Sequence, residues 1–349
     1  MQTMGKNNPL DLSVLYNEYK VLFSVETIQF LRKAQQENLA SQNRASDNGL
    51  KYLTEFISCE FVNLANLELK QQLQNTLSTT NCTYKGKQYT YNGIKQLKFW
   101  AGDNEKETLE EITQEFCETK LNHLLAAILH NEQKAINELG YKDHSEMFVS
   151  LTGISIDSLK SYALKFLSDT SNTYFSHLEK LNVNEGITSH VSLSRDELYM
   201  LLSNCSKDEC FTSVEPKEMF DRLAARSGFK PEIIGRIKIE QTQSSGRAFC
   251  SVLNAPHDIR LVIQNGRGFA QLRDLLHETG HAMHYASVES TLPFEFRRLG
   301  DDSITEAYAA LFENLLYDEI WLKKNLNLDR IQKSELISFL KFYKLTKLR

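Results

Sequence analysis

The sequence predicts a mainly α fold, in which long amphipathic helices are joined by a small antiparallel β-meander beside a helix carrying a His-Glu-x-x-His pattern. Three observations carry this expectation. From Pro9 to about Glu185 apolar residues recur at helical spacing with few breakers. Between Gly228 and Gln264 the period changes to alternation. After that, His277-Glu278-Thr279-Gly280-His281 lies inside an apolar helical run from about Phe269 to Val288. The natural division falls near residue 230, with a helical region over 1–230 and a β-plus-metal region over 231–349.

Composition bounds the rest. With 349 residues, 41% of them hydrophobic and 24% charged, the chain can bury a large core in one or two domains. A net charge of -5 and the lack of a long basic run argue against a general nucleic-acid surface. Residues 1–9 have no apolar signal core, and no run approaches 18 apolar residues, so neither export nor a membrane partner is expected. Cys59, Cys82, Cys117, Cys205, Cys210 and Cys250 are scattered, without a Cys-x-x-Cys pair. Free thiols in the reducing cytoplasm are the expectation. Asn81-Cys82-Thr83 fits a glycosylation acceptor, which means little without an export signal. Nothing in the sequence specifies an oligomeric state.

In chain order, helical periodicity covers Leu10 to Glu37, Leu50 to Leu77, Glu105 to Leu139 and Ile156 to Leu181. Lys85 to Gly93 reads as a loop or short hairpin. His123 and His130, seven apart, could share a helix face, but no carboxylate or cysteine is placed to ligate with both. They read as structural. In the following region Arg236 to Glu240 alternates, Gly246 to Val252 follows a Gln243-Ser244-Ser245 turn, and Asp258 to Ile263 follows Pro256. An edge strand here could pair with an extended peptide through its backbone, or simply pack.

The helix over Phe269–Val288 follows from Leu272, Leu275, Leu276 and Met283 at helical spacing, with the Gly266-Arg267-Gly268 turn as its start. Residues four apart share a face, so His277 and His281 can offer imidazole nitrogens to one metal ion. Glu278 projects beside that ion, where a carboxylate can take a proton from water. Gly280 costs roughly 1 kcal/mol in a helix interior, yet its missing side chain lets another segment approach.

Catalytic zinc keeps three protein ligands and one open position, so a third donor must arrive from elsewhere. A second helix is predicted from Gly300 to Asn314, with Asp301, Asp302 and Ser303 suited to its N-cap. Packed beside the first, it brings Glu306 to His277 and His281. Glu313, seven residues on, falls on the same face and could accept a hydrogen bond from a ligand imidazole. A solvated acidic stripe is the alternative for both. Ile331 to Arg349 continues as an apolar-periodic helix without a cap or a Gly or Pro stop. A C-terminal truncation is therefore expected, which bears on activity more than on metal binding.

These residues resemble the thimet oligopeptidase-like zinc metallopeptidases, over about Gly246 to Tyr317. The resemblance rests on His277-Glu278-Thr279-Gly280-His281-Ala282-Met283-His284, on Glu306 at that family's spacing, on Leu311-Phe312-Glu313-Asn314, and on Gly246-Arg247-Ala248-Phe249-Cys250. The last stretch is similar to the Gly-Ala-Phe-Cys strand along the family's substrate cleft. It implies peptide-binding roles for Gly246, Arg247, Ala248 and Phe249, with a surface charge as the alternative for Arg247. The resemblance also implies that the long helices form one wall of a deep cleft. Ala307-Tyr308-Ala309-Ala310 stands where the family has Pro-Ser-Gln, marking a divergent branch.

The function expected is hydrolysis of oligopeptides by one zinc ion per chain on His277, His281 and Glu306, with Glu278 as general base. Tyr285 and Tyr308 lie near the motifs but are not assigned as oxyanion donors. An inactive zinc-binding fragment or peptide-binding relative predicts metal without cleavage. A helical scaffold with an accidental motif predicts no zinc.

Overall fold

The computed structural model describes residues 12–41, 44–185, 202, 210–211, 215–242, 248–264, 268–326 and 330–349. They are mainly helical, with a two-stranded antiparallel sheet and a mixed three-stranded sheet. The chain divides into two compact units, Asp11–Lys160 and Ser161–Arg349.

In the first unit, helices α1 (Leu12–Glu18), α2 (Val25–Ser41), α3 (Arg44–Leu64) and α4 (Leu67–Thr79) precede strands β1 (Asn81–Tyr84) and β2 (Lys87–Thr90). Then come α5 (Tyr91–Trp100), α6 (Asp103–Phe116), α7 (Asn122–Glu138) and α8 (His144–Thr152), and α9 (Ile156–Glu185) carries the chain onward. Two of the long predicted segments are subdivided at a local polar device, a third at a π-turn, and Ile156 to Leu181 runs unbroken within α9. Ser24 Oγ accepts from the Thr27 amide at 3.2 Å, starting α2 afresh. Asn66, between α3 and α4, is buried and donates to the Ile128 carbonyl at 3.1 Å. Between α6 and α7 the helix widens to a π-turn over Cys117–Leu121, so that Phe116 and Leu121, five apart, are both buried. Ile28, Leu31, Ile57, Ile136 and Met147 form one core of this unit, drawn from α2, α3, α7 and α8.

The 85–93 stretch is partly a hairpin: Lys85 (φ 49°) and Gly86 (φ 76°) make the two-residue turn between β1 and β2. Two successive left-handed residues match the twist of the flanking strands, and a glycine adopts that conformation without steric cost.

The second unit places α10 (Pro216–Arg226), β3 (Ile237–Thr242), β4 (Phe249–Asn254) and β5 (Asp258–Gln264) before α11 (Phe269–Ser287) and α12 (Asp302–Glu313). Helices α13 (Glu319–Asn325) and α14 (Arg330–Leu348) follow. The predicted antiparallel meander is corrected here. The strand order is β3-β5-β4, with β3 parallel to β5 and only β4 antiparallel to it. The cause lies in the strands' composition: Ile259, Leu261, Val262 and Ile263 are essentially inaccessible to solvent, and so continuous an apolar run suits the central place, where both faces are covered. By contrast, β4 exposes Phe249 and Leu253 and takes an edge.

In the sequence, the boundary between the two compact units follows Lys160. Phe211, Met219, Phe220 and Leu223 belong to the same core as Ile259, Leu276, Leu316 and Phe339, so burial groups α10 with the sheet and α11. No helix among the described residues is long and apolar enough to cross a membrane.

Candidate metal centre

Helix α11 forms where the apolar spacing predicts it, and it turns Leu272, Leu275, Leu276, Thr279, Ala282, Met283 and Ala286 into the core. The opposite boundary of that buried stripe carries His277, Glu278 and His281, all partly accessible. Helix α12 starts on Asp301, whose side chain accepts from the Ser303 amide at 2.8 Å, as the N-cap residues suggest. Its inward face is Thr305, Ala309, Phe312 and Glu313.

The two helices approach at Gly280. A Cβ built there would lie 2.4 Å from the Tyr308 carbonyl oxygen and 2.5 Å from the Ala309 Cα. Only a glycine admits this backbone contact, and Ala309, itself fully buried, keeps the facing side equally small. The non-Pro-Ser-Gln segment after Glu306 thus supplies the small residue that the close crossing uses.

That crossing delivers Glu306. One of its carboxylate oxygens is 3.6 Å from His277 Nε2 and the other 3.7 Å from His281 Nε2. Donor atoms of all three side chains lie within 4.8 Å of one another, a group that could hold a metal ion. Donors on a tetrahedral ion at about 2.0 Å stand about 3.3 Å apart, so modest side-chain adjustment closes the set. The Glu306 side chain is 60% exposed, leaving the group open on its solvent side.

Both imidazoles are oriented from behind. His277 Nδ1 is 3.1 Å from Glu313 Oε2, and His281 Nδ1 is 2.7 Å from Thr305 Oγ1. With Nδ1 donating to those oxygens, each Nε2 lone pair faces Glu306, the tautomer a metal ligand requires. The hydrogen bond to Glu313 raises the His277 pKa, whereas burial, helped by the charge of His277, lowers that of His281. Glu278 accepts from the Cys250 amide of β4 at 2.8 Å. Burial pushes its carboxyl upward, with Asp274 and Glu306 adding to the effect and His277 opposing it. An elevated carboxyl of this kind suits a group that exchanges protons near neutrality.

Glu313 is buried, and burial alone would raise its carboxyl, but His277 and Lys347 more than offset this and hold it at about 2. Because the folded value lies below the ordinary 4.5, the stabilisation is present above pH 4.5 and is lost as pH falls towards 2. Its size is roughly 3 kcal/mol, and the nearly inaccessible side chain keeps solvent screening small. In the metal-free protein, Glu313→Gln is expected to lower stability at pH 7 by about this amount. Urea unfolding should show the difference narrowing from pH 4.5 downward; a pH-independent difference contradicts the assignment.

The structure brings together the predicted His277, His281, Glu306, Glu278 and Glu313. Among the predicted substrate residues, Ala248 is buried and Phe249 is partly exposed at the start of β4, while Gly246 and Arg247 lie outside the described residues, as do Gly266 and Arg267. His123 and His130 are exposed on α7 and join no metal-holding group among the described residues. Tyr308 stacks on His284 with ring centroids 4.7 Å apart, and Tyr285 lies under the Arg298 guanidinium. Sequence reasoning missed Thr305 and Lys347. Thr305 sits one residue before Glu306 and on the inward side of the same turn, a legible signal; Lys347 carries none, because only tertiary packing brings it to Glu313. No family model matches this chain, and no curated protein matches it.

Proposed function

We propose that the protein is a zinc-dependent metallopeptidase that hydrolyses oligopeptides. The observation that carries the reading is the convergence of His277, His281 and Glu306 from two helices, with a partly buried fourth residue, Glu278, adjacent in the motif. Two imidazoles and one carboxylate with an open side match the donor set of catalytic zinc better than that of oxygen-loving ions. When bound, zinc would supply Lewis-acid polarisation of the scissile carbonyl and of a water molecule.

The chain's own residues do the rest. Glu278 takes the proton from the attacking water and passes it to the departing amine, so no covalent enzyme intermediate is needed. Glu313 and Thr305 keep the two imidazoles turned with Nε2 forward. What favours a peptide over a small molecule is β4, an edge strand whose Cys250 amide reaches Glu278, because an extended chain can pair with such an edge close to the general base. Cys59, Cys82, Cys117 and Cys250 are free thiols, which supports a reducing, cytoplasmic setting.

The test combines metal analysis with mass-spectrometric digestion of short peptides. One zinc per chain is expected, with cleavage that stops on chelation and returns when zinc is restored. Zinc without cleavage would favour an inactive peptide-binding protein, and no zinc at all would leave a helical scaffold.

A further inference from the structure

The unassigned side chain closest in chemistry to the metal group is Lys347, in the last turn of α14. Its Nζ lies 2.8 Å and 2.7 Å from the two carboxylate oxygens of Glu313. One of those oxygens, Oε2, is also the one at His277 Nδ1. Lysine, carboxylate and imidazole therefore form one line that begins on α14, passes through α12 and ends at a metal-donor face on α11. We propose that Lys347 is a positioning residue for the metal centre: by bridging both oxygens of Glu313 it fixes that carboxylate against His277 and so sets the affinity for zinc.

The physical need is specific. A carboxylate held by a single contact can rotate about its last bond, and each rotation changes which oxygen meets Nδ1. A cation across both oxygens removes that freedom, and its charge stabilises an anion that burial disfavours. The lysine is itself half-exposed, so it contributes little to the core. The docking of α14 is carried by other groups. Leu336, Phe339, Leu340 and Phe342 are buried, and Phe342 stacks on Tyr174 with centroids 5.7 Å apart. The Arg349 guanidinium donates to the Leu167 carbonyl at 2.8 Å and the Thr170 hydroxyl at 2.6 Å. Removing the ammonium of Lys347 thus alters the line to His277 while leaving the helix anchored.

The inference rests on the metal-centre reading above, and its test separates the two. Zinc affinity of the whole chain is measured by competition with a chromophoric chelator for wild type, Lys347→Met, Lys347→Arg and Arg349→Met. Lys347→Met should weaken zinc binding about tenfold, the low end of what losing an outer partner of a ligand typically costs. Lys347→Arg, which keeps a cation able to span both oxygens, should restore most of that loss. Arg349→Met loosens the same helix end without touching Glu313 and should bind zinc like wild type. If wild type binds zinc and Lys347→Met binds it equally well, the positioning role falls and the metal centre stands. If Arg349→Met weakens binding as much as Lys347→Met, the effect is general docking and the role also falls. If wild type binds no zinc, both readings fall.

Discussion

Glu278→Gln is expected to keep one zinc per chain and to reduce peptide cleavage about a thousandfold, within the range that a positioned general base contributes. The expectation is specific because the two properties rest on different residues. Zinc would be held by His277, His281 and Glu306, whose donor atoms form the close group, and Glu278 is not among them. The glutamine carbonyl can still accept from the Cys250 amide, so the side chain keeps its place against β4. What it loses is the capacity to accept a proton from water and deliver it to the leaving amine. Metal analysis and turnover on the same preparation decide the matter. Cleavage at wild-type rates would remove Glu278 from its role, and loss of zinc would show that it helps to build the site.

Gly280→Ala is expected to damage stability and metal affinity together. The added methyl would meet the Tyr308 carbonyl oxygen at 2.4 Å and the Ala309 Cα at 2.5 Å, and neither backbone atom can swing aside. Alanine gains roughly 1 kcal/mol in helix propensity, while overpacking costs about 1–3 kcal/mol. Because the obstruction is backbone, the upper end applies and the net is a loss of about 2 kcal/mol. Helices α11 and α12 must move apart, taking Glu306 away from the two imidazoles. Zinc sites tolerate only about 0.2 Å in their bond lengths, so affinity should fall at least about tenfold. A thermal melt and a chelator competition read the two effects separately. A variant that binds zinc as wild type does would show that the close crossing is not what delivers Glu306.

The two predictions differ in where their information comes from. Glu278 was legible in the sequence, since its place one residue after His277 on a periodic helix is a local property. The same holds for α11 and α12 themselves: Leu272, Leu275, Leu276 and Met283 set one apolar stripe, and Asp301 caps the second helix. Spacing alone also put His277 with His281 and Glu306 with Glu313, because one helical repeat governs each pair.

Other features escaped a reading of one segment at a time. The run Leu261-Val262-Ile263 is buried in the structure, and which neighbours flank it depends on β3 and β4, whose pairing is non-local. Breaks at Ser24 and Asn66 came from side chains that bond to backbone, and for Asn66 the partner, Ile128, lies far along the chain. Substrate contacts proposed for Gly246 and Arg247 fall outside the described residues.

By itself, then, the amino-acid order determined the helices, their inward faces and the candidate donors, because apolar period and capping act within a few residues of chain. Tertiary structure alone decided that β5 takes the centre of its sheet, that α12 crosses α11 on Gly280, and that Lys347 meets Glu313. Those outcomes depend on which surfaces bury each other across long separations, and a periodic pattern states that a face must be covered without stating what covers it.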